Sequence, residues 1–548
     1  MVAMLVLSAA EMQACDRLTS DRFGVPSLEL MRNAAAAVTA FAREQFPAAR
    51  RATVLCGRGN NGGDGLMAAR LLAASGHEVT TILLGAPAGL HGDAAEAWRE
   101  LASPVHGRIH VVTEPDELTC YNDALKTDLL IDAIVGPGFK PPLKGLPLAA
   151  LEWIRKSKVP ILAIDLPSGW PADAQTETVE GPVFPADAVI TFTAPKPAHV
   201  FGALTCRWDQ PIVVAPIGSP EDAVRSSQKL RWAGSSLALA QAPRARSSNK
   251  GNFGHVLVVG GTFGAAGGKA GAPAMASLAA MRAGAGLVTA AVPATALPVV
   301  ASFAPELMTW PLAASKAGEI TAANGTKTKL AALLNGKTVL AIGPGLGQSS
   351  GAAVLLASVL AASEIPVVVD ADALNLLAAK PRVLASLARQ AKAGRTVVLT
   401  PHPGEMARLC RTSVAAIQSN RIEAASSFAE KLGVIVVLKG WRTVTAHPNG
   451  ELALNNSGNP GMAKGGSGDV LTGLIAGLLA QHTADPARAV EAAVCLHGLA
   501  ADLVVREAEE HTVLPTDTLR ELSRAFRFGF YAQNGYVWLQ GIACSSPA

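Results

Sequence analysis

Two glycine-rich runs hold the residue types that phosphate and nucleotide chemistry needs. The first is Cys56-Gly57-Arg58-Gly59-Asn60-Asn61-Gly62-Gly63-Asp64-Gly65, with five glycines in the nine positions 57–65. Glycine lets backbone N–H groups crowd around an anion, and a following helix adds the positive end of its dipole. Asn60, Asn61 and Asp64 add side-chain oxygens able to coordinate a cation or hold a sugar. The alternative is a tight strand-to-helix turn with no ligand. The second run is Asn456-Ser457-Gly458-Asn459-Pro460-Gly461-Met462-Ala463-Lys464-Gly465-Gly466-Ser467-Gly468-Asp469. It is not a Walker A loop, because the Gly-Lys-Ser/Thr ending is absent. Asp469 opens a helical pattern, where a carboxylate is often a cap. Inside a glycine anion hole it reads instead as a base. It would take a proton from a substrate hydroxyl while N–H groups hold the transferring phosphoryl.

Further carboxylates follow apolar runs. Asp165 closes Ala163-Ile164 and leads into Leu166-Pro167-Ser168-Gly169, so it faces the crevice at a strand's carboxyl end. Asp128 starts the run 128–138; alone, it reads as an edge or cap residue. Asp370 and Asp372 follow a buried strand as turn formers or site residues. His402, between Pro401 and Pro403, either caps its turn or touches ligand.

These residues need strands to aim them. The chain has 548 residues, 49% of them hydrophobic and 16% charged, which implies more than one core and excludes long disorder. Aromatics are scarce at 5% while glycine numbers 52, the make-up of parallel α/β sheets with tight turns. Strands are expected over 53–56, 128–135, 160–164, 188–193 and 212–215, with a helix over 66–74 after the first. A second α/β series is expected over 255–259, 286–292, 338–342, 366–370, 396–400 and 433–438, with helices over 469–480 and 487–505. The polar stretch 216–251 reads as a linker. The last residues, 528–548, read as a frayed tail. No internal repeat is evident.

A net charge of +4 over this length disfavours a nucleic-acid partner. Seven scattered cysteines read as reduced core thiols of a cytoplasmic protein. The N-terminus has no basic region ahead of its apolar residues, so no signal peptide is read. No uncharged apolar run is long enough to span a membrane. His106 and His110 are spaced as on a helix face, but Gly107 and the following β-branched residues argue against a metal pair.

As a set, G-x-G-N-N-G-G-D-G, D-x-x-x-D-A-x-x-G-x-G and D-x-P-S-G resemble the YjeF N-terminal family of NAD(P)H-hydrate epimerases, over about residues 8–217. The resemblance implies a Rossmann-like three-layer sandwich over 1–220 that interconverts R and S hydrates of NADH or NADPH with potassium. Asn61, Asp128 and Ser168 would hold the potassium. Asn60, Asn61, Gly62, Gly63, Asp64, Asp132, Ala133, Ile134, Val135, Gly136, Pro137, Gly138 and Asp165 would line the substrate. Loss and return of a C6 hydroxyl calls for an acid/base group, and Asp165 is assigned that role. One departure is Arg32 in Met31-Arg32-Asn33-Ala34-Ala35, where the family has glutamate.

The second half resembles the ribokinase-like superfamily, and within it the NAD(P)H-hydrate dehydratase branch, over about 230–525. Besides the long glycine run, the supporting segments are 269–272, 282–288, 342–347, 370–375, 400–405 and 439–443. The resemblance implies a ribokinase-like three-layer α/β domain over 230–527. It would use ADP, or ATP, with magnesium to phosphorylate and dehydrate the S epimer. Ala272, Gly345, His402 and catalytic Asp469 would contact the hydrate. Lys439, Gly440, Trp441, Arg442, Thr443 and Gly468 would contact the adenine nucleotide. Lys464 replaces the family's threonine. Both family branches imply a homo-oligomer. Two alternatives remain: a small-molecule hydroxyl kinase sharing Asp469, and a first half kept only as a ligand-binding module.

Overall fold

A computed structural model describes residues 4–101, 107–265 and 267–541. They form two compact units, one of residues 4–230 with a returning segment from Gly529, the other of 231–528.

The first unit is built on an eight-stranded sheet. In spatial order its strands are Val537–Gln540, Ile212–Ala215, Ala188–Phe192, Ile161–Ile164, Leu129–Ala133, Arg51–Cys56, Glu78–Leu84 and Arg108–Val112. All are parallel except Val537–Gln540, which runs antiparallel to Ile212–Ala215. The order reverses direction at Arg51–Cys56, so the crevice between that strand and Leu129–Ala133 is a topological switch point. Strands buried on both faces need helices above and below. Helices Ser27–Gln45 and Asn60–Ala74 share the core on one face, and Gly145–Ile154 packs into the core on the other.

The last strand corrects the expected frayed tail. Tyr536 and Trp538 are buried, their rings meet Phe41 edge-on, and the Tyr536 hydroxyl donates to the Ala37 carbonyl at 3.0 Å. Each such burial stabilises by roughly 1.5–3 kcal/mol, enough to order a short terminal segment. His106 and Cys544 lie outside the described residues. His110 is on a strand with its ring stacked on Tyr121. Not every cysteine is a core thiol: Cys120 and Cys206 are exposed.

The second unit has a ten-stranded sheet, also switching direction once. His255–Val259 lies between Leu287–Pro293 and Val339–Ile342, beyond which come Val367–Val369, Val397–Leu399 and Ile435–Leu438, all parallel. The expected linker is mostly structured. Leu230–Trp232 forms the sheet's far edge, and buried Trp232 donates to Asn456 Oδ1 at 2.7 Å. Beneath it, Glu491 is fully buried and satisfied by Arg231, by His447 Nε2 at 2.8 Å and by the Ser236 hydroxyl at 2.5 Å. Apolar residues spaced through a polar segment hid this packing. Among the described residues, no helix is long and apolar enough to cross a membrane.

Candidate active sites

In the first unit, the glycine run is helical rather than a loop. The helix Asn60–Ala74 starts at Asn60, six residues before the expected start. Close packing explains the glycines. A Cβ on Gly57 would lie 1.9 Å from the Ile134 carbonyl oxygen, and one on Gly62 would lie 1.9 Å from that of Gly57. The helix can therefore plug directly into the switch point, with its first N–H groups at the strand ends.

Around that N-terminus opens a cavity of about 1020 Å³. Its wall includes Asn60, Asn61, Asp64, Ile134, Val135, Gly136, Pro137, Gly138, Asp165 and Lys196. Buried Asp132 organises one side. Its carboxylate accepts from the Ser168 amide at 2.7 Å and the Ser168 hydroxyl at 2.6 Å. Burial pushes its carboxyl up to about 6 against those hydrogen bonds. The Val135 amide donates to Ser168 Oγ at 3.0 Å, and Asn61 Nδ2 donates to the Val135 carbonyl at 3.2 Å. Asn61 Oδ1 is buried with no hydrogen-bond partner. Asn61, Asp132, Val135 and Ser168 thus gather oxygen atoms in one place.

Asp128 does not join them. It precedes the opposite end of the strand Leu129–Ala133 and is paired with Arg51 at 2.7 Å. That pairing and the amides of Arg50 and Arg51 hold its carboxyl well below the usual range. The expected potassium role of Asp128 is corrected on this ground.

Asp165 sits at the left-handed φ of 64°, a strained conformation for a residue with a Cβ. The surroundings hold it there. Its Oδ1 accepts from Lys196 Nζ at 2.6 Å and Thr191 Oγ1 at 2.6 Å, while its carbonyl oxygen lies 2.6 Å from His199 Nε2. His199 Nδ1 accepts from the Lys196 amide at 2.9 Å, so the ring is the neutral Nε2–H tautomer. Burial lowers its pKa to about 4, in keeping with this. Burial alone would raise the Asp165 carboxyl. The Lys196 charge and the hydrogen bonds from Lys196 and Thr191 outweigh it and hold Asp165 ionised. Asp165 is thus a fixed anion, poorly suited to donate the proton assigned to it.

Lys196, Thr191 and His199 escaped the sequence reading. The available signal was Pro195-Lys196-Pro197 just beyond an apolar strand, a place where a lysine has little reason to be buried. The Arg32 departure has a simple outcome: its guanidinium pairs with Glu100 at 2.6 Å on the protein surface.

In the second unit, Gly466 at φ 105° turns the chain into the helix Ser467–Gln481, with Asp469 in its first turn. Burial and then Asp370 push the Asp469 carboxyl up to about 7. Asp370 is fully engaged: Oδ1 accepts from Lys439 Nζ at 2.7 Å and Thr400 Oγ1 at 2.7 Å, and Oδ2 from Thr472 Oγ1 at 2.8 Å. With these three partners it does more than form a turn. A Cβ on Gly468 would lie 3.3 Å from Lys439 Nζ, so the lysine sits directly against the glycine hole. Ala272, Gly345 and Lys269 meet likewise, since a Cβ on Gly345 would lie 3.3 Å from that of Ala272. Lys269 pairs with Asp372 at 3.0 Å.

His402 caps the helix Pro403–Cys410, its Nδ1 accepting from the Gly404 amide at 3.0 Å, while half its side chain remains exposed. Arg442 is buried, donates to the Asn456 carbonyl and stacks on Trp441 at 4.1 Å. The Trp441 ring is half-exposed. Thr443 Oγ1 turns back to the Gly440 carbonyl at 3.4 Å. Part-buried Asp502 secures the loop before the hole, accepting from the Gly458 amide at 2.8 Å and Asn459 Nδ2 at 2.9 Å.

Residues 256–524 match the family model described as NAD(P)H-hydrate dehydratase, and 27–198 match the one described as the YjeF-related protein N-terminus. The chain is 40% identical over 533 residues to the bifunctional NAD(P)H-hydrate repair enzyme Nnr of Moorella thermoacetica, covering 96% of this chain and 97% of that one. This chain belongs to the family of bifunctional NAD(P)H-hydrate repair enzymes. The Nnr protein of Escherichia coli is 35% identical over 521 residues, covering 94% of this chain and 93% of its own. Among solved structures, ADP/ATP-dependent NAD(P)H-hydrate dehydratase from Bacillus subtilis, co-crystallized with ATP/Mg2+, is 33% identical. That match has a TM-score of 0.44 and covers 54% of this chain and 96% of the other.

Within this family frame, the Lys464 departure is structural. Its Nζ donates to the His511 carbonyl at 2.6 Å and so ties the glycine run to a neighbouring turn. Lys464→Thr is expected to leave the KM for nucleotide within about twofold of wild type, because an exposed contact of this kind contributes on the order of 1 kcal/mol to stability and nothing to the hole. Steady-state kinetics at varied nucleotide checks this.

Proposed function

We propose that the two units run successive steps of one repair. The first interconverts the R and S forms of hydrated NADH or NADPH. The second dehydrates the S form, consuming ADP and releasing AMP and phosphate. The observation that carries this reading is near-full-length similarity to the repair enzymes, joined to a furnished cavity at the switch point of the first sheet and to the cluster of Asp469, Asp370 and Lys439 in the second unit.

In the first cavity, ionised Asp165 stabilises the cationic ring left when the C6 hydroxyl departs. The amides at the start of Asn60–Ala74 suit the substrate's phosphates. Potassium would be held by Asn61, Asp132 and Ser168. The orphaned Asn61 Oδ1 and the all-oxygen donor set fit that ion. Bound there, it supplies positive charge that orders the substrate loop.

In the second site, Asp469 takes the proton of the C6 hydroxyl as that oxygen attacks the terminal phosphoryl. The amides of the Gly466–Gly468 turn and Lys439 stabilise the growing charge. Loss of phosphate from C6 and a proton from C5 then rebuilds the dihydronicotinamide ring. Magnesium would arrive on the nucleotide's phosphates and neutralise them. The Trp441 face offers stacking for adenine, and Ala272, Gly345 and His402 line the hydrate side. Free thiols suit a reducing compartment, and self-association is expected of the family.

The test mixes the full chain with R,S-hydrated NADH, potassium and ADP, and follows the absorbance of reduced nicotinamide. Full recovery is expected with ADP. Recovery only with ATP would correct the nucleotide. Recovery of about half the pool would refute the epimerase, and none with either nucleotide would overturn the dehydratase. Unchanged epimerisation with sodium in place of potassium would remove the cation from the account.

A further inference from the structure

One part-buried carboxyl in the first cavity has no task in the account above. Asp16 lies on the helix Ala9–Phe23, outside the stretch 27–198 matched by the family model. Its side chain lines the cavity alongside Asp64, Asp165 and Lys196. Asp16 Oδ1 is shut off from solvent by the protein and has no hydrogen-bond partner. A buried polar oxygen left without a partner is costly, and such atoms call for a reason. A ligand that fills the cavity would supply one.

The reaction needs what Asp165 cannot give. Hydroxide is a poor leaving group from C6, so a proton must reach it. Asp165 is held as a carboxylate by Lys196 and Thr191 and has no proton to donate. On the reading of this unit as the epimerase, we infer that Asp16 is the catalytic residue that protonates the departing C6 hydroxyl. Its carboxylic acid gives a proton to the hydroxyl, the C6–O bond breaks with its electrons leaving on water, and the N1 lone pair closes an N1=C6 cation. Water then adds to the opposite face of C6, the π electrons return to N1, and the surplus proton goes back through cavity water to the Asp16 carboxylate. Proton and electrons balance over the cycle, and no other reactant is consumed.

The charged neighbours agree with that role. Burial raises the Asp16 carboxyl to about 6, with Asp165 adding to the effect and Lys196 and Arg17 opposing it. Asp64 faces the same space and is pushed well above its usual range by burial, then by Asp165 and Asp16. Asp16, raised to about 6, can both give and retake a proton near neutral pH. Two carboxyls with opposite shifts, Asp165 down and Asp16 up, divide the work of stabiliser and acid.

The experiment follows epimerisation of S- to R-hydrated NADH by the full chain, with no adenine nucleotide present. Wild-type activity is measured first. If it is absent, the epimerase reading fails and the Asp16 assignment falls with it. Given an active wild type, Asp16→Asn is expected to lower kcat about 10²–10³-fold at nearly unchanged KM, and to remove the fall in rate above pH ~6 set by loss of the acid form. Asp16→Glu is expected to regain part of the rate with a shifted profile. A comparable loss in Asp64→Asn, with Asp16→Asn near wild type and the same pH profile, would overturn the assignment. A loss in Asp16→Asn that appears in KM alone, with the pH profile intact, would overturn it too.

Discussion

Asp469→Asn should lower dehydratase kcat by about 10³-fold or more while leaving epimerisation at its wild-type rate. The loss belongs to kcat, because the amide keeps the shape of the helix start and removes only the base. The wild-type enzyme should also lose rate about tenfold per pH unit below about 7, where Asp469 takes up its proton. The same shift has a thermodynamic side. A carboxyl whose pKa is raised on folding binds its proton more tightly in the folded state, so stability falls as pH rises from the unfolded value toward about 7. Above that range the folded unit carries the full cost of the buried charge. Asp469→Asn should therefore melt at a higher temperature than wild type at pH 8, and lose that advantage at pH 4. Calorimetry at the two pH values beside single-turnover kinetics measures both effects. An inactive variant with no such pH-dependent gain would show that the carboxylate is less strained than its burial implies.

Lys196→Met should destabilise the first unit by about 3–5 kcal/mol, because it strands the Asp165 carboxylate in the interior. Lys196 is 2% exposed and Asp165 5%, so the carboxylate without its lysine is poorly hydrated. In the wild type, Asp165 has a depressed pKa. Its contribution is thus complete above the unfolded value of about 3.9 and fades as pH falls through the folded one. Without the lysine, burial outweighs the Thr191 hydrogen bond that is left, and the dependence reverses: the variant should be more stable at pH 5 than at pH 8. Adding Asp165→Asn removes the stranded charge and should return most of the stability, yet not the epimerase activity. Urea unfolding of both variants, read by proteolysis within 4–230, checks the prediction. A Lys196→Met unit that unfolds at the wild-type midpoint would show that the pair is not energetically coupled.

Much of this was legible in the amino-acid order. Strands over 255–259, 212–215 and 188–192 stand where apolar β-branched runs put them, because a parallel strand is buried on both faces and reads as a continuous run. The first glycine run identified the cavity of its unit, since only glycine tolerates contacts as close as that between Gly62 and the Gly57 carbonyl. Helix starts were misread at Asn60, because glycine's low helix propensity hides a helix whose glycines serve tertiary packing.

What the linear order could not supply was which residues meet. Asp128 and Asp132 are four apart, but an extended chain sets them roughly 13 Å apart at opposite ends of one strand. Only Asp132 reaches Ser168, while Asp128 goes to Arg51. Lys196 reaches Asp165, 31 positions away, because Ile161–Ile164 and Ala188–Phe192 are neighbouring parallel strands. Asp16 arrives from a helix before the sheet begins, and Tyr536 and Trp538 return from the far end of the chain to close it. Residue types and spacing thus determined the two α/β units, their glycine-lined crevices and the kind of chemistry each could hold. Charge pairing was decided by the order of strands in the sheet, which brings distant side chains within hydrogen-bond reach and sets whether a buried carboxyl is held as an anion or kept as an acid.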